Sequence, residues 1–167
     1  MTFSSTRPVD ILFDAARRGD LPLLKQLIDE GVDVNEQGPR GFTPLIIATY
    51  NNQPVAARML LEAGADVNAQ DLAGNTALMG QCFNGYEGIA ELLLEYGANL
   101  NLQNGSGGTA LMFATMYGRT NMVRFMLENG ANRELRDIRG LTAQQMAAQV
   151  GNEEALKLFE ASTESTT

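Results

Sequence analysis

The chain has 167 residues, of which 44% are hydrophobic and 19% charged, with a formal net charge of −8 and no histidine. This size suffices for one domain with a continuous core, whereas so acidic a surface is a poor partner for nucleic acid, because affinity there comes from neutralising phosphates. Without histidine the chain lacks the usual general base and metal ligand, and its single cysteine, Cys82, cannot build a structural zinc site or an internal disulfide.

The chain begins with a polar segment, residues 1–9, which contains no apolar stretch like that of a signal peptide. We therefore expect this segment to be flexible and the protein to be cytoplasmic. No apolar run approaches the roughly 20 residues that a membrane helix needs, so no membrane association is expected.

From residue 10 onward the sequence repeats itself every 33 residues. A Gly-x-Thr motif begins at Gly41, Gly74, Gly107 and Gly140. A second glycine, placed after an apolar run, keeps the same interval at Gly31, Gly64, Gly97 and Gly130. Such a period predicts stacked supersecondary units, each of which needs its neighbour to bury its apolar face.

The period divides one continuous domain, residues 10–162, into five units. The predicted units are 10–37, 38–70, 71–103, 104–136 and 137–162. The first unit lacks the opening turn, and the last stops after its second helix. The closing segment, 163–167, is expected to be a flexible tail.

Within the second unit the residues predict two helices and a protruding turn. A helix is expected over 43–51, because its threonine hydroxyl can cap free amides and Pro44 has no amide to leave unsatisfied. Pro54 opens a second helix, and Gly64 ends that helix in a left-handed conformation. The Asp, Asn and Gly residues that follow, through Gly74, suit a tight turn.

These patterns resemble the ankyrin repeat. Gly-Phe-Thr-Pro-Leu at 41–45 and Met-Leu-Leu-Glu-Ala-Gly-Ala-Asp-Val-Asn-Ala at 59–69 are close to the family pattern G-x-T-P-L-H-x-A followed by L-L-x-x-G-A-D-V-N. The resemblance covers nearly the whole chain and implies an all-α solenoid of helix-turn-helix units joined by β-turn or hairpin loops. It also implies a non-enzymatic protein that binds a protein partner in the concave groove lined by turn tips and first helices.

The chain departs from the family pattern at several positions. The family histidine is replaced by Ile46, Met79, Met112 and Gln145. We expect apolar packing in place of the hydrogen bonds that this histidine makes between neighbouring turns. Gln81 stands where a small alanine is usual, and Asn52 replaces a glycine within the second unit.

Candidate partner-binding side chains lie, by register, on the turn tips and at the ends of the first helices. Tyr50, Phe83 and Met116 occupy one position of the repeat. They either form an exposed apolar stripe, which would mark an interface, or fold sideways into packing between units. The predicted partner-binding residues are Arg40, Phe42, Tyr50, Leu72, Phe83, Met116, Tyr117 and Arg139.

Two motifs suggest a bound ion, and both are weak. Asp66-x-Asn68-x-x-Asp71 resembles a calcium loop but lacks the turn glycine and the bidentate glutamate. Residues 105–109 are glycine-rich like a phosphate loop, but no lysine follows them. No metal, cofactor or catalytic residue is therefore expected.

The sequence thus predicts a non-enzymatic protein-binding module that acts as a monomer, since both end units are polar. Two alternatives remain open. One is a small inhibitor of a kinase or another enzyme, because small cyclin-dependent-kinase inhibitors are also bare stacks of four or five ankyrin units. The other is a secreted bacterial effector or targeting factor, with the Ser/Thr-rich end as a recognition tail.

Overall fold

The computed structural model describes residues 6–164, which form ten α-helices and one short 3-10 turn, Pro39–Gly41, without a β-strand. The helices are α1 (Pro8–Arg18), α2 (Leu21–Asp29), α3 (Pro44–Tyr50), α4 (Pro54–Glu62), α5 (Ala77–Asn84), α6 (Glu87–Glu95), α7 (Ala110–Met116), α8 (Thr120–Glu128), α9 (Ala143–Val150) and α10 (Glu153–Glu164). The odd-numbered helices contact one another along an inner row, and each contacts the even-numbered helix that follows it. The all-α solenoid of helix pairs is therefore confirmed.

A threonine caps the first helix of each of the last four units. Thr43 Oγ1 accepts a hydrogen bond from the Ile46 amide at 3.2 Å. Thr76, Thr109 and Thr142 accept the equivalent bond at 3.3 Å. A capping hydroxyl satisfies an amide that would otherwise lack a partner at the helix start. The predicted helix over 43–51 is thus confirmed as α3 with its cap.

A left-handed residue follows each of the five first helices. Gly19, Gly85, Gly118 and Gly151 have φ values from 66° to 86°, and Asn52 takes the same conformation with φ of 56°. Asparagine tolerates this region better than most residues with a side chain. Asn52 therefore replaces the family glycine without changing the backbone of the unit.

The loops between units are short hairpins. In the third unit the Asp71 amide donates to the Asn75 carbonyl, and the Gly74 amide donates to the Asp71 carbonyl, both at 2.9 Å. Asp71 Oδ1 accepts from the amides of Ala73 and Asn75, also at 2.9 Å. Asn104 and Asp137 hold the next two turns in the same way.

Side-chain amides at other positions of the repeat tie neighbouring units together, in addition to the apolar packing predicted at the histidine positions. The side chains of Gln37, Gln70 and Gln103 each donate to the carbonyl one full repeat later, at 3.0, 3.2 and 2.9 Å. Asn35 and Asn68 each bridge to the next unit through both ends of the amide. These bonds join side chains to backbone groups of the loops between units. Because hydrogen bonds are directional, they fix the orientation of neighbouring units, which apolar packing alone does not.

Polar contacts also persist at the positions of the missing histidine. The Sδ atoms of Met79 and Met112 accept from the amides of Thr76 and Thr109 at 3.4 Å. In the last unit Gln145 Oε1 accepts from the Thr142 amide at 2.9 Å. The thioether is a weak acceptor, but its contact with the threonine amide complements the bond from the methionine amide to the threonine hydroxyl.

The described residues extend the predicted domain at both ends. Helix α1 begins at Pro8 and buries Val9, and α10 continues to Glu164. Both helices thus extend by two residues into the segments 1–9 and 163–167 that are expected to be flexible. Residues 1–5 and 165–167 of these segments lie outside the described part of the chain.

Gln81 is fully buried in α5, with a relative accessibility of 0%. Its Nε2 donates to the Ala77 carbonyl at 3.2 Å, but its Oε1 has no hydrogen-bond partner among residues 6–164. A buried acceptor without a partner costs the free energy of its lost hydration. The long side chain at this position, where alanine is usual, thus lowers the stability of the stack.

Replacing Gln81 by methionine should raise the free energy of unfolding by about 1–3 kcal/mol, because the orphan acceptor disappears while most of the volume remains. Urea denaturation measures this change. The matched variant Gln81→Ala removes the same acceptor but leaves a space, so it should be less stable than Gln81→Met. A Gln81→Met protein no more stable than the parent would contradict this account.

Three groups whose pKa values are shifted bear on stability. Burial acts to raise the pKa of Asp137, but hydrogen bonds from Leu141 and Arg139 outweigh it, so this pKa is lowered. The Arg7 side chain lowers the pKa of Asp10 through a hydrogen bond. Burial raises the pKa of the Cys82 thiol to about 12.

Stability should be nearly constant between about pH 6 and about pH 8 and should fall below about pH 4. A carboxyl whose pKa is lowered by folding stabilises the protein above its unfolded pKa, and this contribution is lost as the pH falls. The Cys82 contribution is fully present below its unfolded pKa of about 8.5 and is lost only as the pH rises further. Urea melts at three pH values test this, and a change above about 1 kcal/mol across the neutral range would contradict it.

Candidate partner-binding groove

An open groove of about 540 Å³ crosses the first four units on the side of the first helices and turn tips. Its apolar lining consists of Phe42, Ile46, Ile47, Tyr50, Met79, Gly80, Phe83, Phe113 and Tyr117. The groove arises because the first helices form the inner row while the hairpin tips project beside them. Every repeat therefore adds one helix end and one tip to the same surface.

Four aromatic residues form a contiguous cluster in this groove: Tyr50, Phe83, Phe113 and Tyr117. The Tyr50 and Phe83 rings are stacked with centroids 6.3 Å apart, and the Phe83 and Tyr117 rings meet edge to face at 4.6 Å. Phe113 stacks on Tyr117 at 6.1 Å. Such pairs stabilise one another's orientation, so the aromatic cluster is rigid although Tyr50 and Tyr117 are 51% and 53% exposed.

Gly80 makes a depression in the floor of the groove. It occupies the repeat position at which the neighbouring units carry Ile47 and Phe113. A Cβ atom added at Gly80 would meet only Tyr50 Cδ2, at 3.7 Å, which is an ordinary contact distance. The space is thus open and could hold a side chain of a partner.

A second cavity of about 330 Å³ adjoins the groove at the first turn tip. Arg17, Arg40, Phe42 and Ile47 line both cavities, so they stand where the two spaces meet. The second cavity also contains Phe13, Gly38, Pro39 and Asp10. Together the two cavities form one continuous concave surface.

The first turn tip has a different backbone from the others. Arg40 is left-handed, with φ of 61° and ψ of 13°, whereas its equivalents Ala73, Ser106 and Arg139 have no positive φ. The later turns are held by an Asp or Asn side chain, but this turn has Gly38 at that position. A Cβ at Gly38 would lie 3.0 Å from two ring carbons of Phe13.

The charges of the groove are unevenly compensated. Arg40 has no ion pair among the described residues, and the nearest carboxylate to Arg17 is Asp14 at 3.8 Å. Asp10 is engaged by Arg7 at 3.0 Å, and Asp71 uses its Oδ1 to hold its own turn. The groove therefore presents a positive end within a protein of net charge −8.

The structure brings five of the eight predicted binding residues together in the groove. These are Arg40, Phe42, Tyr50, Phe83 and Tyr117. Met116 is exposed beside the groove but does not line it. Leu72 and Arg139 lie on turn tips, where Leu72 is 82% exposed and Arg139 bonds Asp137 at 2.9 Å.

Ten groove residues lie outside the predicted set, and four of them shape the proposal below: Arg17, Ile47, Gly80 and Phe113. All four follow the same register. Ile47, Gly80 and Phe113 share one repeat position, and Arg17 shares the position of Tyr50 and Phe83. The period therefore contains the signal for all four: Arg17 lies at the position of Tyr50, and the other three lie one turn earlier in their first helices.

Other kinds of site find little support in residues 6–164. No cluster of three or more metal-ligating side chains lies within this range. None of the helices described here is long and apolar enough to span a bilayer.

The family model of ankyrin repeats, which contains three copies, matches residues 12–104 and again 96–165. A comparison with curated proteins finds no match. Ankyrin repeats are generally protein–protein interaction modules, and the family is typically non-enzymatic. With most of its length matched and its helices paired in the expected register, the chain belongs to the ankyrin-repeat family.

Proposed function

We propose that this protein is a non-enzymatic module that holds a protein partner in the groove between its turn tips and first helices. The observation that carries the proposal is the aromatic cluster, because Tyr50 and Tyr117 stay more than half exposed inside a concave surface. Aromatic side chains in desolvated pockets contribute a large part of the binding energy at protein interfaces.

The groove is suited to binding because it is already ordered. Capping threonines fix the starts of the helices, and the amide ladders fix each unit to the next. The aromatic rings brace one another. A preorganised surface loses less conformational entropy on binding than a flexible loop, so more of the contact energy is retained as affinity.

We propose further that the protein acts as a cytoplasmic monomer and does not bind nucleic acid. The net charge of −8 disfavours a phosphate backbone. Charged side chains on α10, Glu153, Glu154, Lys157 and Glu160, are exposed at the end of the stack. A polar outer face on a terminal unit disfavours stacking of a second copy.

Affinity capture from the source organism tests the proposal. Tagged parent protein, the variant Tyr50→Ala/Tyr117→Ala and the control Val55→Ala would be compared by mass spectrometry. Val55 is 58% exposed on the outer row, so its variant controls for the loss of surface apolar area. We expect a protein retained by the parent and the control but lost from the double variant, which should still fold.

The identity of the captured protein distinguishes the narrower functions. A kinase or another enzyme would indicate an inhibitor, and a secretion or host component would indicate an effector or targeting factor. Equal capture by the double variant would contradict binding in the groove. The acidic outer face formed by Glu87, Glu91 and Glu95 would then be the next surface to test.

A further inference from the structure

We infer that the partner offers a linear segment in which an acidic side chain stands next to a large apolar one. The apolar side chain enters the depression over Gly80 within the aromatic cluster, and the carboxylate lies between Arg17 and Arg40. This inference rests on the proposed function, since it assigns a ligand chemistry to the same groove.

The position of the two arginines is the first argument. Arg17 and Arg40 line both cavities, so a chain that passes from one cavity to the other runs by these two residues. Ile47 and Phe42 also belong to both cavities and connect this point with the apolar floor. One short segment can therefore reach the arginines and the aromatic cluster together.

The second argument is that the carboxylates of the protein do not fully pair with Arg17 and Arg40. Arg40 has no ion pair among residues 6–164, and Arg17 shares Asp14 with Arg18, which binds that carboxylate more closely, at 2.8 Å against 3.8 Å. Asp10 is paired with Arg7, whereas Asp71 keeps its negative charge because its bonds come from neutral amides, so two arginines face one unpaired carboxylate of the groove. The charge complement of this site is therefore an anion supplied from outside, and a guanidinium binds a carboxylate through paired hydrogen bonds.

The backbone of Arg40 is the third argument. A left-handed conformation is unfavourable for a residue with a side chain, and such residues persist mainly where function requires them. The glycine that would relieve this turn is absent at position 40, although glycine occupies the next position, Gly41. The strained turn thus places a cationic residue at the point where the two cavities meet.

The fourth argument is the space at Gly80, which can hold the apolar side chain of the segment. The missing side chain leaves an open space beside Tyr50, in the groove that Phe83 and Phe113 also line. A leucine, methionine or aromatic side chain of a partner would replace water there and contact the Tyr50 ring. Burial of such a side chain is worth roughly 25 cal/mol for each Å² of apolar surface removed from water, so the anchor supplies affinity while the ion pair supplies orientation.

The test uses a phage-displayed random peptide library selected on the full chain. Peptides that also bind Tyr50→Ala/Tyr117→Ala are discarded, so that those remaining depend on the groove. We expect enrichment of Asp or Glu beside a large apolar residue. Affinity of a selected peptide should fall about tenfold or more in Arg17→Gln/Arg40→Gln. The control Arg124→Gln changes an exposed arginine on the outer helix α8 and should leave the affinity unchanged.

A double-mutant cycle separates charge recognition from a general loss of structure. Changing the acidic residue of the peptide to its amide should weaken binding to the parent but cause little further loss with Arg17→Gln/Arg40→Gln. Selected peptides without acidic residues, or affinity that survives removal of both arginines, would overturn the inference. So would a library that yields no groove-dependent peptide.

Different results would contradict binding in the groove and recognition of an acidic side chain. A natural partner whose capture depends on Tyr50 and Tyr117 but not on the arginines would leave the groove as the binding surface and remove only the acidic chemistry. Capture that is independent of Tyr50 and Tyr117 would remove the groove itself.

Discussion

Replacing Phe159 by alanine should lower the free energy of unfolding by about 3–5 kcal/mol, the range for deleting a fully buried aromatic ring. Phe159 lies in α10 with a relative accessibility of 0%, and the Arg133 guanidinium lies over its ring, 5.2 Å from the centroid. The loss combines the apolar contacts of the last unit with this cation–π interaction. Urea denaturation, followed by circular dichroism, measures the change.

The position of Phe159 at the end of the stack adds a second expected result. In a solenoid each unit contacts only its neighbours, so damage to the last unit should open that end first. Amide exchange should therefore accelerate in α9 and α10 before it does so in α1 to α4. The neighbouring variant Glu160→Ala changes an exposed side chain and should alter stability by at most about 0.5 kcal/mol. If Phe159→Ala destabilised the protein no more than this control, the claim that Phe159 holds the last unit in place would be wrong.

Replacing Gly80 by leucine should abolish partner binding without unfolding the protein. The new side chain would occupy the depression in which we place the apolar anchor, and a blocked anchor pocket costs at least about 2 kcal/mol, or roughly thirtyfold in affinity. The nearest atom to the new Cβ, Tyr50 Cδ2, is 3.7 Å away, and leucine favours a helix more than glycine does. The melting temperature should therefore be equal to or above that of the parent.

Gly88 provides a matched control for this variant. It is an exposed glycine in helix α6, outside the groove, and a Cβ atom there would meet nothing within 4 Å. Gly88→Leu makes the same chemical change with a similar effect on helix propensity but leaves the groove open. Isothermal titration of the captured partner compares the two. Equal affinity of Gly80→Leu and Gly88→Leu would show that the depression is not used.

Much of the fold could be predicted from the sequence because the period of 33 residues fixes the register of every unit. Thr43 and Pro44 mark the start of α3, and the same signal recurs at Thr76, Thr109 and Thr142. The ladders of Asn and Gln were missed because each bond joins residues about one repeat apart. Single-unit reasoning cannot detect contacts that exist only in the stack.

The groove was predictable only in part for the same reason. Tyr50 and Phe83 could be placed by register, but whether Met116 or Tyr117 continues their row depends on how the end of α7 packs. The left-handed Arg40 follows a glycine at position 38, where a Cβ would lie only 3.0 Å from the ring of Phe13 in a different unit. A depression at Gly80 becomes visible only when its neighbours Ile47 and Phe113 are in place.

The measurement that tests the central claim most directly is amide hydrogen exchange of the free protein and of its complex with the captured partner. Binding in the groove predicts added protection at the turn tips and at the ends of the first helices, in residues 38–51, 71–84 and 113–118. The second helices α4, α6 and α8 should keep their exchange rates. Protection confined to those outer helices, with the turn tips unchanged, would contradict the account.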